Sequence, residues 1–165
     1  MSKIGVFYGT STGNTENVAE SIAEKLGGTT YDVADSPTDA IAECDVLIFG
    51  TSTLGIGDLQ DDWDDFLPKL EGSDLSGKTV AIFGLGDADS YPDSFVDGIG
   101  IIYKAVKDKG CKIVGAVSTD GYDYDESIAE VDGKFVGLPL DEDNESDKTE
   151  TRVDSWIESI KAIIG

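Results

Sequence analysis

Six consecutive residues, Thr10-Ser11-Thr12-Gly13-Asn14-Thr15, place four hydroxyls and an amide around one glycine. The chemistry open to such a run is anion binding. It follows an apolar stretch, Ile4 to Tyr8, closed by Gly9, and it precedes Val18, Ile22 and Leu26, which recur at every fourth position. A strand entering a helix through a short loop of this kind aims unpaired N–H groups and the positive end of the helix dipole at an anion, and the hydroxyls add donors. A triphosphate loop needs four residues between its glycines and then Gly-Lys-Ser/Thr. Here three residues separate Gly9 from Gly13, and Asn14 stands where the cation would be. The dinucleotide pattern G-x-G-x-x-G is missing from the loop as well. What remains is a cradle suited to one terminal phosphate held without formal positive charge. The alternative is that the hydroxyls only cap the helix.

Other chemistries are excluded by composition. The chain has no histidine, which removes Ser-His-Asp catalysis, His-based zinc sites and imidazole proton shuttles. With 12 Lys and Arg against 34 Asp and Glu, the formal charge is −22. That balance disfavours nucleic acid and anionic membrane surfaces, both of which need a cationic face. Cys44 and Cys111 are far apart and form no C-x-x-C pair, so two reduced thiols are expected. No apolar run approaches the roughly 20 residues of a membrane span, and the N-terminus turns polar too soon for a signal peptide. A cytoplasmic protein is therefore expected.

The elements that must position the loop are legible from periodicity. Strands are expected at Ile4–Tyr8, Thr29–Val33, Asp45–Gly50, Lys78–Gly84 and Lys112–Val117. The third is apolar at nearly every position, as a central parallel strand covered on both faces must be. Helices are expected from Gly13 to Leu26, from Ser36-Pro37 through Ala42, around Trp63, Phe66 and Leu67 with Pro68 ending the helix, along Ile99, Ile102 and Val106, and along Val153, Trp156, Ile157, Ile160 and Ile164. Strands alternating with helices imply βαβ units, hence an α/β fold with a three-layer, doubly wound, five-stranded parallel sheet in one domain, residues 1–165. The stretch Ser118 to Asn144 is too long for an unstructured connection. It reads as an insertion near the fifth strand, with its own short strand at Lys134–Leu138.

The loop Thr10-Ser11-Thr12-Gly13-Asn14-Thr15 resembles the T-x-T-G-x-T phosphate signature of the flavodoxins. The resemblance extends over the whole chain. Asp120-Gly121-Tyr122, Gly133-Lys134-Phe135-Val136-Gly137-Leu138 and Asp141-Glu142-Asp143-Asn144 are similar to the insertion of the long-chain subgroup and to the segment that succeeds it. The resemblance implies the strand order 2-1-3-4-5, with FMN at the switch point between strands one and three; flavodoxins are themselves the standing example of that arrangement. It also implies two further loops against the flavin ring. One is Thr51-Ser52-Thr53-Leu54-Gly55-Ile56-Gly57-Asp58, and the other is Gly84-Leu85-Gly86-Asp87-Ala88-Asp89-Ser90-Tyr91. Tyr91 matches the aromatic that stacks on the outer ring face, and Asp143 an acidic residue near the ribityl chain. Plain exposure of the tyrosine and plain solvation of the carboxylate are the alternatives. Position 54 departs from the pattern: many flavodoxins have tryptophan there, and this chain has Leu54.

The implied activity is one-electron transfer by non-covalent FMN at low potential, through quinone, neutral semiquinone and hydroquinone states, with no substrate turned over by the protein itself. Gly55 is suited to turn its carbonyl toward the flavin N5 after a flip of the Gly55–Ile56 peptide, because it has no Cβ to obstruct the turn. Asp58, Asp61, Asp62, Asp87, Asp89 and Asp93 surround the expected ring site. At about 10 Å and an effective dielectric of about 40, each costs an added electron about 0.8 kcal/mol before screening. The same charges would steer a monomeric carrier toward redox proteins with basic docking patches, such as flavodoxin or ferredoxin reductases and ferredoxin-type acceptors. Two rivals use related folds. An FMN-dependent quinone or nitro-compound reductase would need a substrate pocket and usually a nicotinamide site. A phosphoacceptor signalling domain would need acidic residues where Gly9-Thr10 and Gly50-Thr51 stand, and a lysine where Ser118-Thr119 stands.

Overall fold

Along Val46-Leu47-Ile48-Phe49 every side chain is buried, yet successive residues enter different cores: Val46 and Ile48 face one side, Leu47 and Phe49 the other. The neighbouring strands do the same. Val6 and Tyr8 oppose Phe7, while Ala81, Phe83 and Leu85 oppose Val80 and Ile82. A strand with two buried faces demands apolar residues of both parities, so these runs lack the polar alternation of a half-exposed sheet.

The computed structural model describes residues 3–10, 13–54 (Leu54 by its backbone alone) and 57–164. In chain order the elements are β1 (Ile4–Tyr8), α1 (Asn14–Leu26), β2 (Thr29–Asp32), α2 (Thr38–Glu43), β3 (Val46–Leu54), β4 (Asp58–Leu59), α3 (Asp61–Glu71) and β5 (Thr79–Leu85). They continue with α4 (Asp97–Val106), β6 (Lys112–Val114), β7 (Val117–Ser118), β8 (Glu130–Val131), β9 (Lys134–Phe135), β10 (Leu138–Leu140) and α5 (Ser146–Ile164). The central sheet runs β10-β5-β3-β1-β2, all parallel. Helices α1 and α5 cover the face that holds Val6, Ile48 and Phe83; α2, α3 and α4 cover the face that holds Phe7, Phe49 and Ile82. This is the doubly wound, three-layer α/β sandwich expected from the alternation of elements.

The fifth sheet position is filled by two segments laid end to end. β6 pairs with the first half of β5, placing Lys112 opposite Thr79 and Val114 opposite Ala81; β10 pairs with the second half, placing Leu138 opposite Phe83 and Leu140 opposite Leu85. Residues 115–137 leave the sheet between them and form a small antiparallel sheet in the order β7-β9-β8. The expected strands Lys112–Val117 and Lys134–Leu138 are therefore each cut. Two glycines explain where. Gly115 has φ +85° and its Cα faces Trp156, whose Nε1 would lie 2.7 Å from a Cβ. A Cβ on Gly137 would fall 2.3 Å from the Ile82 carbonyl oxygen, so only glycine lets the chain re-enter against β5. The insertion has its own anchor: Phe135 is fully buried among Phe95, Tyr122 and Tyr124.

Two further expectations are corrected. Pro68 does not end α3, which continues to Glu71. Trp63, Phe66 and Leu70 bury one stripe of that helix, whereas Pro68 and Asp64, whose carbonyl loses its donor, both lie on the exposed side. Water can replace the missing bond there. Strand three does not stop at Gly50 either. Thr51 and Ser52 pair with Gly84 and Leu85, then Thr53 and Leu54 pair with Leu59 and Asp58 in a hairpin. Polar residues hid the extension, because this end of the strand carries the site instead of the core.

Candidate functional site

The chain leaves β1 toward β2 on one side, while β3 lies on the other, so the carboxyl ends of β1 and β3 open a crevice between divergent connections. In open α/β sheets this is where ligands bind. The Gly9 N–H donates to the Gly50 carbonyl at 3.1 Å and holds the two strand ends together. The Trp63 indole N–H donates to the same carbonyl at 2.7 Å from the buried side. A Cβ on Gly50 would lie 2.0 Å from the Phe83 ring, so the floor of the crevice is packed to contact.

On one flank lies the hydroxyl-rich loop. Thr10 accepts the Gly13 N–H on its hydroxyl oxygen at 2.8 Å, closing the loop on itself. Gly13 caps α1 at φ +93° without a side-chain hydrogen bond, and among the described residues nothing beyond its chain neighbours lies within 4 Å of where its Cβ would be. The first bond of the helix runs from Asn17 N–H to the Gly13 carbonyl. Gly13 thus offers no side-chain oxygen to the N–H groups of the first turn of α1. Thr15 is buried and Asn14 exposed. Ser11 and Thr12 lie outside the described residues. A buried hydroxyl, a helix N-terminus capped by glycine and a glycine opening onto free volume make a donor set that fits a phosphate.

The second flank is the β3–β4 hairpin. Thr51 is fully buried with its hydroxyl donating to the Ser52 carbonyl at 3.0 Å. Thr53 accepts the Gly98 N–H of α4 at 2.9 Å. Leu54 pairs through its backbone with Asp58, and Gly57 turns the chain at φ +106°. Gly55 and Ile56 lie outside the described residues, and the expected peptide flip with them.

The third flank follows β5. Gly84 and Leu85, expected in the loop, are the last residues of the strand and are buried. Gly86 donates to the Leu140 carbonyl at 2.9 Å, with its Cα against the Val96 backbone. Beyond it the Asp87 carboxylate accepts the Ser90 N–H at 3.0 Å and the Asn144 side-chain amide at 2.8 Å. Burial alone would raise the Asp87 pKa, but these hydrogen bonds outweigh it and hold the carboxyl below its ordinary value. Tyr91 is 40 % exposed, its N–H bonded to the Asp87 carbonyl at 2.9 Å. Tyr91 is thus partly open to solvent on the loop that follows β5.

Asp143 stands beside this loop, at the start of the segment leading into α5. Its carboxylate lies within 4.8 Å of those of Asp87 and the buried Asp141. Partial burial, then the charges of Asp87, Asp141 and Glu142, push its pKa upward. Asn144 resolves much of the conflict, because its side-chain N–H groups also reach both Asp141 oxygens, at 3.1 and 3.0 Å. The Asn144 role was not legible from composition: the acidic run around it reads as solvated surface. Two other contributors were missed for the same kind of reason. Tyr8 and Glu16 share a hydrogen bond at 2.8 Å, and Asp97 bonds the Ile128 N–H at 3.0 Å, but nothing in either local pattern announces a distant partner.

Fold and crevice together define a doubly wound α/β protein with a hydroxyl-rich loop at its switch point and two further loops beside it. The sequence model of the family described as "Flavodoxin" matches residues 6–156. The chain is 46% identical over 168 residues to the flavodoxin of Synechocystis sp., covering 99% of both chains, and 45% identical to that of Helicobacter pylori, covering 98% of both. Among solved structures, the Fusobacterium nucleatum flavodoxin bound to flavin mononucleotide superposes with a TM-score of 0.93 at 38% identity, covering 98% of both chains. The chain belongs to the flavodoxin family of electron-transfer proteins.

Proposed function

We propose that this protein is a one-electron carrier that holds FMN non-covalently and turns over no substrate of its own. The observation that carries the reading is the N-terminus of α1: it is capped by Gly13 without a side-chain hydrogen bond, no described residue fills the space at the Gly13 Cβ position, and it follows β1 at the switch point. The Fusobacterium nucleatum relative, in which FMN is bound, supports the choice of ligand.

In this reading Thr10, Ser11, Thr12, Gly13, Asn14 and Thr15 hold the phosphate. Thr51, Ser52, Thr53, Leu54, Gly55, Ile56 and Gly57 border one side of the ring, and Tyr91 covers the other. Gly84, Leu85 and Gly86 set the floor from which Asp87 and Tyr91 rise, and Asp143 faces the ribityl chain. Bound FMN would supply two successive one-electron steps, through quinone, neutral semiquinone and hydroquinone states. The protein's part is to bind, to exclude water and to fix the charge around the ring. Asp58, Asp61, Asp62, Asp87, Asp89 and Asp93 oppose the second added electron, which makes the carrier strongly reducing.

The 165 residues act as one domain of the long-chain subgroup; the insertion that splits the fifth sheet position supports that assignment. A cytoplasmic monomer that docks on basic patches of reductases or ferredoxin-type acceptors completes the reading. Its acidity supports that choice of partner, and two free cysteines support that compartment.

The test is titration of the apoprotein with FMN, read by quenching of flavin fluorescence, followed by a steady-state NADPH assay. One FMN bound per chain and no NADPH oxidation without an added reductase is the expected result. Sustained turnover of NADPH by the protein alone would favour the reductase alternative instead.

A further inference from the structure

Asp97 opens α4 between two parts of the chain that are remote in sequence. Its Oδ1 accepts the N–H of Ile128, in the segment that interrupts the fifth strand, at 3.0 Å. Its Oδ2 lies 2.8 Å from where Gly57 would carry a Cβ, so the carboxylate rests on the returning limb of the β3–β4 hairpin. The next residue, Gly98, donates its N–H to Thr53 Oγ1 on the outgoing limb at 2.9 Å. Around Asp97 the same short stretch is bound repeatedly to the insertion. Phe95 N–H reaches the Glu126 carbonyl at 3.3 Å, the Ser127 hydroxyl donates to the Phe95 carbonyl, and a Cβ on Gly100 would fall 2.6 Å from the Ile128 carbonyl oxygen.

The stretch is also strained. Val96 is fully buried at φ +47°, in the left-handed region that a β-branched residue almost never adopts. Such a conformation costs of order 1–3 kcal/mol and persists only where its surroundings over-determine it. Here the surroundings are the hairpin on one side and the insertion on the other. Burial raises the Asp97 carboxyl above its ordinary value, against the opposing pull of the Ile128 N–H and Lys104, consistent with a group held in place by packing.

We propose that Asp97 is a positioning residue that couples the inserted segment to the β3–β4 hairpin, so that the insertion sets the hairpin's angle and with it the first one-electron potential of bound FMN. The inference rests on the FMN reading above. Hydrogen bonds weaken steeply with angle, so a tilt at Thr53 and Gly57 alters whatever bond the hairpin offers the ring edge. A displacement at Ile128 has a short covalent and hydrogen-bonded route to both limbs through Asp97 and Gly98.

Ile128→Pro removes the donor without changing charge, Asp97→Ala removes the acceptor, and Asp97→Asn keeps an acceptor oxygen. In the apoprotein, amide exchange at Gly98 should accelerate about tenfold in Ile128→Pro and in Asp97→Ala, no further in the double variant, and stay within about threefold of the parent in Asp97→Asn. In the FMN-loaded protein, Ile128→Pro should shift the first one-electron equilibrium at least threefold, about 28 mV at 59 mV per tenfold, and the second by less than half as much. Unchanged exchange at Gly98 in a protein that binds and releases FMN normally overturns the coupling alone. Faster exchange with an unmoved first potential overturns its redox consequence. A parent chain that binds no FMN defeats the functional reading, and the redox half of the inference with it, while the exchange result still decides the coupling. Should Ile128→Pro fail to fold, Asp97→Ala against Asp97→Asn decides both readouts.

Discussion

The Tyr8 hydroxyl donates to Glu16 Oε2 at 2.8 Å, tying the last residue of β1 to the first turn of α1 across the hydroxyl-rich loop. Burial, then the bond to Glu16, pushes the tyrosine pKa up, so the hydroxyl remains a donor far into the alkaline range. The bond links the strand and the helix that flank the loop, but it also places a carboxylate in the first turn of α1, which would receive a phosphate in the proposed reading.

Replacing Glu16 with Gln should therefore keep an acceptor for Tyr8 while removing that charge. For a unit charge about 8 Å from the phosphate at an effective dielectric of about 40, FMN binding tightens by about 1 kcal/mol, or about fivefold. Fluorescence titration at low salt reads the change, and at high salt it should shrink toward nothing. Equal affinities at low salt would mean that Glu16 is too well screened to matter.

Gly13→Ala isolates the conformational demand of the loop. Among the described residues none beyond the chain neighbours crowds the added methyl, so the cost is that of holding a non-glycine residue at φ +93°. Thermal unfolding of the apoprotein should show a loss of about 1–2 kcal/mol, and FMN affinity should fall with it. A variant as stable as the parent would show that the loop relaxes to another conformation.

Asn144 and Asp143 should respond to substitution with opposite signs. Asn144→Ala removes the amide shared by Asp87 and Asp141 and leaves those carboxylates facing each other. A loss of about 1.5 kcal/mol is expected at pH 7. Asp87 is depressed in the fold, so its contribution is present above the unfolded value near 4 and disappears as pH falls through the folded value. The gap between parent and Asn144→Ala should accordingly close in acid. Asp143 is raised, so its ionised form opposes folding at pH 7. Asp143→Asn should stabilise by about 0.5 kcal/mol after allowance for solvent screening, and that gain should vanish below about pH 4. Urea unfolding at pH 7 and at about pH 2.5 measures both.

Leu54→Trp offers a ring face where the parent chain has an aliphatic residue. Aromatic contact adds about 1 kcal/mol beyond area burial, so FMN should bind about fivefold more tightly. Titration showing no gain would mean that the residue at 54 does not meet the ring.

The legibility of each feature in the sequence depends on how local its signal is. The parallel sheet was legible because β1, β3 and β5 carry unbroken apolar runs, and the strand–loop–helix entry at Gly9–Thr15 because its hydroxyls, glycine and helix start are contiguous. The extension of β3 through Thr51–Leu54 was hidden because its first residues are polar and their partners, Gly84 and Leu85, lie on another strand. The split of the fifth strand was hidden for a similar reason: Leu138–Leu140 belongs to the sheet only because Gly137 can press against Ile82. Tyr8, Asn144 and Asp97 act through partners between 3 and 57 positions away, and single-sequence periodicity carries no trace of such pairs.

The central claim is that the chain carries electrons one at a time on a bound flavin, and anaerobic reduction followed by absorption tests it most directly. Apoprotein reconstituted with FMN should be yellow, pass through a blue, long-wavelength-absorbing stage as the first electron enters, and bleach with the second. A protein that remains colourless at any excess of FMN, or that bleaches in a single two-electron step with no blue stage, contradicts the account.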